Sequence, residues 1–308
     1  MAEHPLVTTG GLPAPTLTDA LTSAAGYARA SSSPATLKAY RSDWRDFLAW
    51  CDALSCPALP ASVETTASYL AHLADSGLKA STITRRTAAI AYAHRLRGLA
   101  PPTAAEPIKA VLRGIRRRIG VAVERKAPAT ARALTKMIAK VPTTRKGVRD
   151  RAILLIGFAA ALRRSELVDL QVNDLVFGPE GLVITIRRSK TDQEGEGQTI
   201  AIPRGSKLRP VEALEAWLSD RPENLNTLFG VCDRTVALIV KRYARKAKLD
   251  PTQFAGHSLR AGFVTSALEH GADLFKVMDV TRHRRVETLR EYDRRAKQFT
   301  DHAGKKFL

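Results

Sequence analysis

Apolar positions recur at helical spacing from about residue 33 onward and continue in separate runs to the end of the chain. In "SPATLKAYRSDWRDFLAWCDAL" Leu37, Tyr40, Trp44, Phe47 and Leu48 share one face, so the segment predicts a helix that buries that face. "SVETTASYLAHLADSG" predicts a second helix, opened by Ser62, whose hydroxyl can accept from the first unpaired amides, and closed by Gly77. A third, "STITRRTAAIAYAHRLRGL", is expected to open at Ser81, and the proline pair 101–102 interrupts the pattern before "AAEPIKAVLRGIRRRIG". Together these predict an all-helical domain over residues 35–118. Residues 1–34, rich in Ala, Ser, Thr, Pro and Gly, predict a flexible arm. Residues 119–131 predict a linker, because "GVAVERKAPAT" has no period and carries a proline.

The pattern then changes. "VRDRAILLIGFAAAL" is apolar over more than three turns and predicts a buried core helix. "DLVFGPEGLVITIRRSKTDQEGEGQTIAIP" predicts strands near 183–189 and 198–203, joined by a polar turn that contains glycine. Beyond Pro210 the helical period returns over 211–219, 232–247, 257–269, 272–280 and 285–296. Residues 132–308 should therefore form a second, mainly α domain with one small sheet.

Charge narrows the partner. The chain holds 49 Lys and Arg against 30 Asp and Glu, an excess of 19 positive charges. Such an excess points to a polyanion, and nucleic acid is the usual one. Lys79, Arg85, Arg86, Arg116, Arg117 and Arg118 carry part of it on the first domain and are candidate DNA-binding residues. No apolar run approaches the roughly 20 residues that cross a bilayer, and "MAEHPLVTTGG" lacks the basic and apolar regions of a signal peptide. Cys51, Cys56 and Cys232 are too few and too scattered for a disulfide framework or a zinc site. The expectation is a protein of the reducing cytoplasm, associated with the nucleoid, with no membrane partner and no metal.

Four segments gather groups able to do chemistry. In "ALRRSEL" Arg163 and Glu166 stand three apart, so the carboxylate can fix the guanidinium while leaving its outer donors free; taken alone, the pair also reads as a surface ion pair. Lys190, in "RRSKTDQEG", is either a proton donor at a strand end or a solvated hairpin lysine. In "HSLRAGF" His257 and Arg260 fall at the start of an apolar helix, where amide dipoles favour an anion. His283 and Tyr292 follow in "TRHRRVETLREYDRR", a stretch dense in arginine with no apolar period evident around the tyrosine. By itself that stretch also reads as a solvated helix face.

Arg in an "LRxSEL" box, Lys in a β-hairpin, "HxLR", a later His and a final Tyr, in that order and spacing, resemble the tyrosine recombinase, or phage integrase, family. The likeness spans the second domain; the helical first domain is similar, more loosely, to that family's core-binding domain. It implies a mainly α protein of two domains, a SAM-like core-binding domain followed by a mixed α/β catalytic domain with a small β-sheet. It further implies Tyr292 as nucleophile, Arg163 and Arg260 as the clamp on the scissile phosphate, and His257 and His283 as further phosphate contacts. Lys190 would be the general acid and Glu166 a support. Two positions depart from the family pattern: Ala161 and Arg282 stand where Gly is usual.

The resemblance implies a site-specific recombinase that cleaves and rejoins DNA through a 3′-phosphotyrosine, with no metal, ATP or other cofactor. It would act as a homotetramer on two double-stranded DNA sites, in integration, excision or resolution of a mobile element, with accessory proteins as further partners. The apolar residues of the polar tail, Phe299, Phe307 and Leu308, would dock on a neighbouring subunit. The alternatives are a type IB topoisomerase-like enzyme and a catalytically silent DNA-binding factor.

Overall fold

The computed structural model describes residues 33–121, 126–187, 197–283, 285–287, 289 and 292. The chain divides into two compact units, residues 1–123 and 124–308.

The first unit is helical: α1 (Pro34–Ala53), α2 (Val63–Asp75), α3 (Ala80–Leu96) and α4 (Glu106–Ile119). The Ser33 and Ser62 hydroxyls accept from the Thr36 and Thr65 amides at 3.2 and 3.0 Å, so α1 and α2 open where a capping serine precedes the apolar period. α3 does not open at Ser81. Its cap is Lys79, whose carbonyl takes the Thr82 and Ile83 amides and leaves Ser81 inside the first turn. Phe47, Cys51, Tyr69, Leu70, Ile83, Ile90 and Ile108 form the core. Within it lies His94, fully buried, which accepts from the Ala61 N–H through Nε2 (3.0 Å) and donates Nδ1–H to the Ile90 carbonyl (2.9 Å). Both ring nitrogens are satisfied, which is what lets an imidazole sit there.

The second unit opens with α5 (Ala131–Ile138), α6 (Arg145–Ala159) and α7 (Arg164–Asp169). A sheet of β1 (Leu175–Phe177), β2 (Gly181–Ile186) and β3 (Gln198–Pro203) follows, then α8 (Pro210–Asp220), α9 (Asp233–Lys246), α10 (Ser258–Glu269) and α11 (Leu274–Thr281). The strands are antiparallel in the order β1-β2-β3, with Ile184 opposite Leu175 on one side and Ile200 on the other. Leu182, Ile184, Ile186, Ile200 and Ile202 alternate into the core, the period of two that the sequence carries. β2 stops at Ile186, short of the expected 189, and β1 is a third strand whose three residues are too few to show a period. α6 is the expected core helix, with residues 152–156 almost wholly buried.

Two features lock this unit together. Asp150, fully buried on α6, accepts from Tyr243 Oη (3.1 Å), Arg242 (3.3 Å) and Arg149 (3.2 Å), tying α6 to α9. Residues 127–131, read from sequence as the end of a linker, run along α10. The Ala127, Ala129 and Ala131 amides donate to the Gln253 carbonyl, the Ser258 carbonyl and Ser266 Oγ at 2.7, 2.8 and 2.8 Å. Gly262 permits this approach, since a Cβ there would lie 1.9 Å from the Ala129 carbonyl oxygen.

Candidate active site

Arg163 caps α7, and Glu166 reaches back to it. The Arg163 amide donates to Glu166 Oε2 at 2.8 Å and its Nη1 donates to Oε1 at 2.7 Å. This is no surface ion pair, for the Glu166 side chain is 1% exposed and that of Arg163 18%. A second guanidinium binds the same carboxylate: Arg282 Nη2 donates to Glu166 Oε2 at 2.7 Å, with 5% of its side chain exposed.

Arg260, in the first turn of α10, is 2% exposed. Its Nη1 donates to the Ala161 carbonyl at 2.7 Å, and its Nη2 donates to the Thr281 carbonyl and stands 3.3 Å from His283 Nε2. Both carbonyls belong to sharp corners at helix ends, where Ala161 (φ 46°) and Arg282 (φ 56°) adopt the left-handed conformation. These are the two positions at which the family pattern has Gly, and the φ values give the physical reason for it, since a side chain there costs about 1–2 kcal/mol. The corners aim two carbonyls at one guanidinium and so fix its plane.

His283 is held on both sides. Thr281 Oγ1 donates to the Val277 carbonyl at 2.7 Å and accepts from His283 Nδ1 at 2.7 Å, leaving Nε2 to face Arg260. Burial, then the charges of Arg260, Arg163, His257 and Arg282, lower its pKa to about 4. His257, the cap residue of α10, is lowered first by desolvation of its ring and then by the charges of Arg260, Arg163 and Arg164. Burial also lowers Arg260, to about 9; the Arg163 and Arg282 cations push the same way, while Glu166 opposes them. Arg260 is therefore still cationic at neutral pH.

Tyr292 is half-buried against an apolar cluster of Val264, Leu268, Val277 and Leu289. The sequence reading missed this support, because Leu289 and Tyr292, one helical turn apart, are too few to stand out among arginines. The structure thus gathers Arg163, Glu166, His257, Arg260 and His283, seats Tyr292 on the apolar cluster beside α10 and α11, and adds Arg282, which sequence marked only as a departure. Lys190 lies outside the described residues. Among the described residues no group of three His, Cys, Asp or Glu is placed to hold a metal ion.

The candidate DNA-binding cations of the first unit fall into two sets. Arg85 grips Asp43 through Nε (2.7 Å) and Nη2 (2.9 Å), and Arg86, 16% exposed, is engaged by Asp46 and by Tyr69 Oη. Lys79, Arg116, Arg117 and Arg118 are exposed.

Fold and site together define a class: a helical domain followed by a mainly α domain that buries a cluster of arginines and histidines. The profile of the phage integrase family matches residues 129–298, and that of the phage integrase N-terminal SAM-like domain matches residues 27–96. An integrase/recombinase xerD homolog of Selenomonas ruminantium is 39% identical over 287 residues, covering 87% of this chain and 84% of that protein. A tyrosine recombinase of Synechococcus elongatus is 32% identical over 305 residues, covering 89% and 90%. The chain belongs to the phage integrase family and is a site-specific tyrosine recombinase. Its fold is shared with the Tn1549 transposon integrase in complex with transposon right end DNA, at a TM-score of 0.63 and 17% identity over 90% of this chain and 97% of that one. A lambda integrase dimer bound to a core site gives 0.60 and 18%, over 85% and 89%. Among the described residues no helix is long and apolar enough to cross a membrane.

Proposed function

We propose that Tyr292 is the nucleophile of this recombinase, attacking a phosphodiester of a double-stranded recombination site to give a 3′-phosphotyrosine. The phenol oxygen bonds to phosphorus as the bond to the 5′-oxygen breaks. The phenol's proton is lost to water, Lys190 protonates the departing 5′-oxygen, and His257 contacts the scissile phosphate. Arg163 and Arg260 hold the non-bridging oxygens, whose charge grows toward the transition state, and His283 contacts the same phosphate. Glu166 fixes Arg163. A 5′-hydroxyl from a second duplex then displaces Tyr292. Each step exchanges one phosphodiester for another, so the bond energy is conserved and no ATP is consumed.

The observation that carries this reading is charge imbalance: among the described residues Arg163 and Arg282 share the one carboxylate of Glu166, while Arg260 is buried with its donors on backbone carbonyls. Buried cations in excess call for an anion. Residues 35–118 serve as the core-binding domain and residues 132–308 as the catalytic domain, with 1–34 as an arm and the linker ending before residue 127, since residues 127–131 are bonded into the second unit. Four copies assemble on two sites, in the cytoplasm and on the nucleoid, with accessory proteins setting the outcome; sizing the protein on and off DNA tests the assembly.

The test of the roles uses two substrates. On ordinary DNA, Lys190→Ala should slow covalent attachment by about 10²–10⁴-fold. On DNA with sulfur at the bridging 5′-position it should recover, because a thiolate, from a thiol of pKa near 8.5, leaves unaided. Arg163→Ala and Arg260→Ala should stay slow on both. Equal rescue of all three variants, or none for Lys190→Ala, overturns the assignment.

A further inference from the structure

Arg282 is costly where it stands. Its backbone is left-handed (φ 56°), a conformation that favours glycine. Its charge is buried, with 5% of the side chain exposed, and of its three guanidinium nitrogens only Nη2 has a partner, while Nε and Nη1 are buried without one. Packing alone gives no reason for such a residue, since glycine would relax the backbone and remove the buried charge. Strain and unsatisfied buried donors that persist together mark a working site.

Its one partner supplies the reason. Glu166 takes Arg163 on Oε1 and Arg282 on Oε2, so Arg163 is held by a single side-chain bond and keeps its other donors for a ligand. Without Arg282, Glu166 would cancel Arg163 and leave Arg260 as the one uncompensated guanidinium of the set; with it, the set carries two positive charges in excess. A phosphodiester brings one negative charge and its pentacovalent transition state two. An excess of two positive charges therefore stabilises the transition state more than the bound substrate, which is the condition for raising a rate.

We infer that Arg282 is a positioning residue of the strand-transfer reaction, one that holds Glu166 from the far side and restores to the pocket the positive charge that Glu166 cancels. It does so without touching the DNA. The inference rests on the reading of Arg163 and Arg260 as the phosphate clamp. Arg282→Gly, which gives the left-handed corner the residue that suits it, separates a charge role from a backbone role, and Arg282→Lys keeps the charge while losing the fork.

Two measurements on the full chain test it. The first is thermal stability with and without inorganic phosphate at matched ionic strength, where a ligand that binds only the folded state raises the midpoint. Arg282→Gly should be at least as stable as the wild type without phosphate and should lose most of the phosphate-dependent rise; Arg282→Lys should keep part of it. An unchanged rise in Arg282→Gly overturns the inference. If Arg163→Ala also keeps its rise, the clamp reading itself has failed, which is a different result.

The second is single-turnover covalent attachment to a duplex carrying the crossover site, mapped beforehand by sequencing DNA trapped on the protein. Arg282→Gly should be about 10–100-fold slow, the range for groups that act through a contacting residue. On a duplex with a methylphosphonate at the cleaved position, which lacks the non-bridging charge, most of that deficit should vanish. A deficit of equal size on both duplexes, or none on the natural one, overturns the charge role.

Discussion

In the first unit Asp43 holds Arg85 in a two-point grip, and Asp46 with Tyr69 engages Arg86, so two carboxylates meet two guanidiniums. Among the described residues of the second unit, Glu166 alone meets Arg163 and Arg282. The materials are the same and the balance differs. Where charges cancel inside one chain, the network's work is to hold helices together. Where cations outnumber anions, the network is finished only by a ligand. The same contrast separates two tyrosines. The Tyr69 hydroxyl donates to Asp46 at 2.6 Å and accepts from Arg86 at 2.8 Å, and burial together with the Asp46 bond pushes its pKa up. A cationic neighbour alone is therefore no mark of a nucleophile, although Tyr69 looked unlike Tyr292 in sequence.

The largest expected effect sets those tyrosines against each other. Tyr292→Phe should abolish covalent attachment to DNA while binding persists. Tyr69→Phe should retain attachment and lose about 1–3 kcal/mol of stability, the range for a hydrogen bond to a charged group. Adduct mapping and denaturant unfolding read the two results, and an adduct on Tyr69 would erase the distinction.

Next come the carboxylates. Glu166→Gln leaves buried cations uncompensated and should cost roughly 3–5 kcal/mol, whereas Asp43→Asn, whose partner Arg85 is half exposed, should cost less. Inorganic phosphate should restore much of the loss in Glu166→Gln, where an anion can enter among the guanidiniums, and little in Asp43→Asn. Similar recovery in both would mean that neither network is waiting for a ligand.

A smaller effect concerns pH. The folded pKa of His283, about 4, lies below the ordinary value near 6.5, so the unfolded chain binds the proton more readily. This contribution to stability is complete above pH 6.5 and is lost as pH falls toward 4. His283→Gln should flatten that acid limb in urea unfolding, and an unchanged limb would place its origin elsewhere.

The smallest is a slope. If Arg117 and Arg118 meet phosphates, replacing either with Ala should reduce the slope of log affinity against log salt by about 1. Arg86→Ala should lower stability and leave the slope unchanged, because its guanidinium is already engaged within the first unit. A change of slope in Arg86→Ala would show that this network opens to DNA.

Much of the fold was legible in the residues themselves. α1, α2 and α6 followed from helical period and capping, and the β2–β3 hairpin from alternation, because backbone sterics set these rules within a few residues. β1, α5 and α7 were too short to show a period, and the true start of α3 depended on which carbonyl its first amides could reach. The order of Arg163, Lys190, His257, Arg260, His283 and Tyr292 was enough to name a family. The sequence alone could not tell that Arg282 and Glu166, 116 positions apart, share a bond, or that Arg86 is spent inside its own domain while Arg282 adds to an excess. Period and capping are local properties. The worth of a charge depends on what surrounds it in space and how far it is removed from water, and only the folded chain decides that.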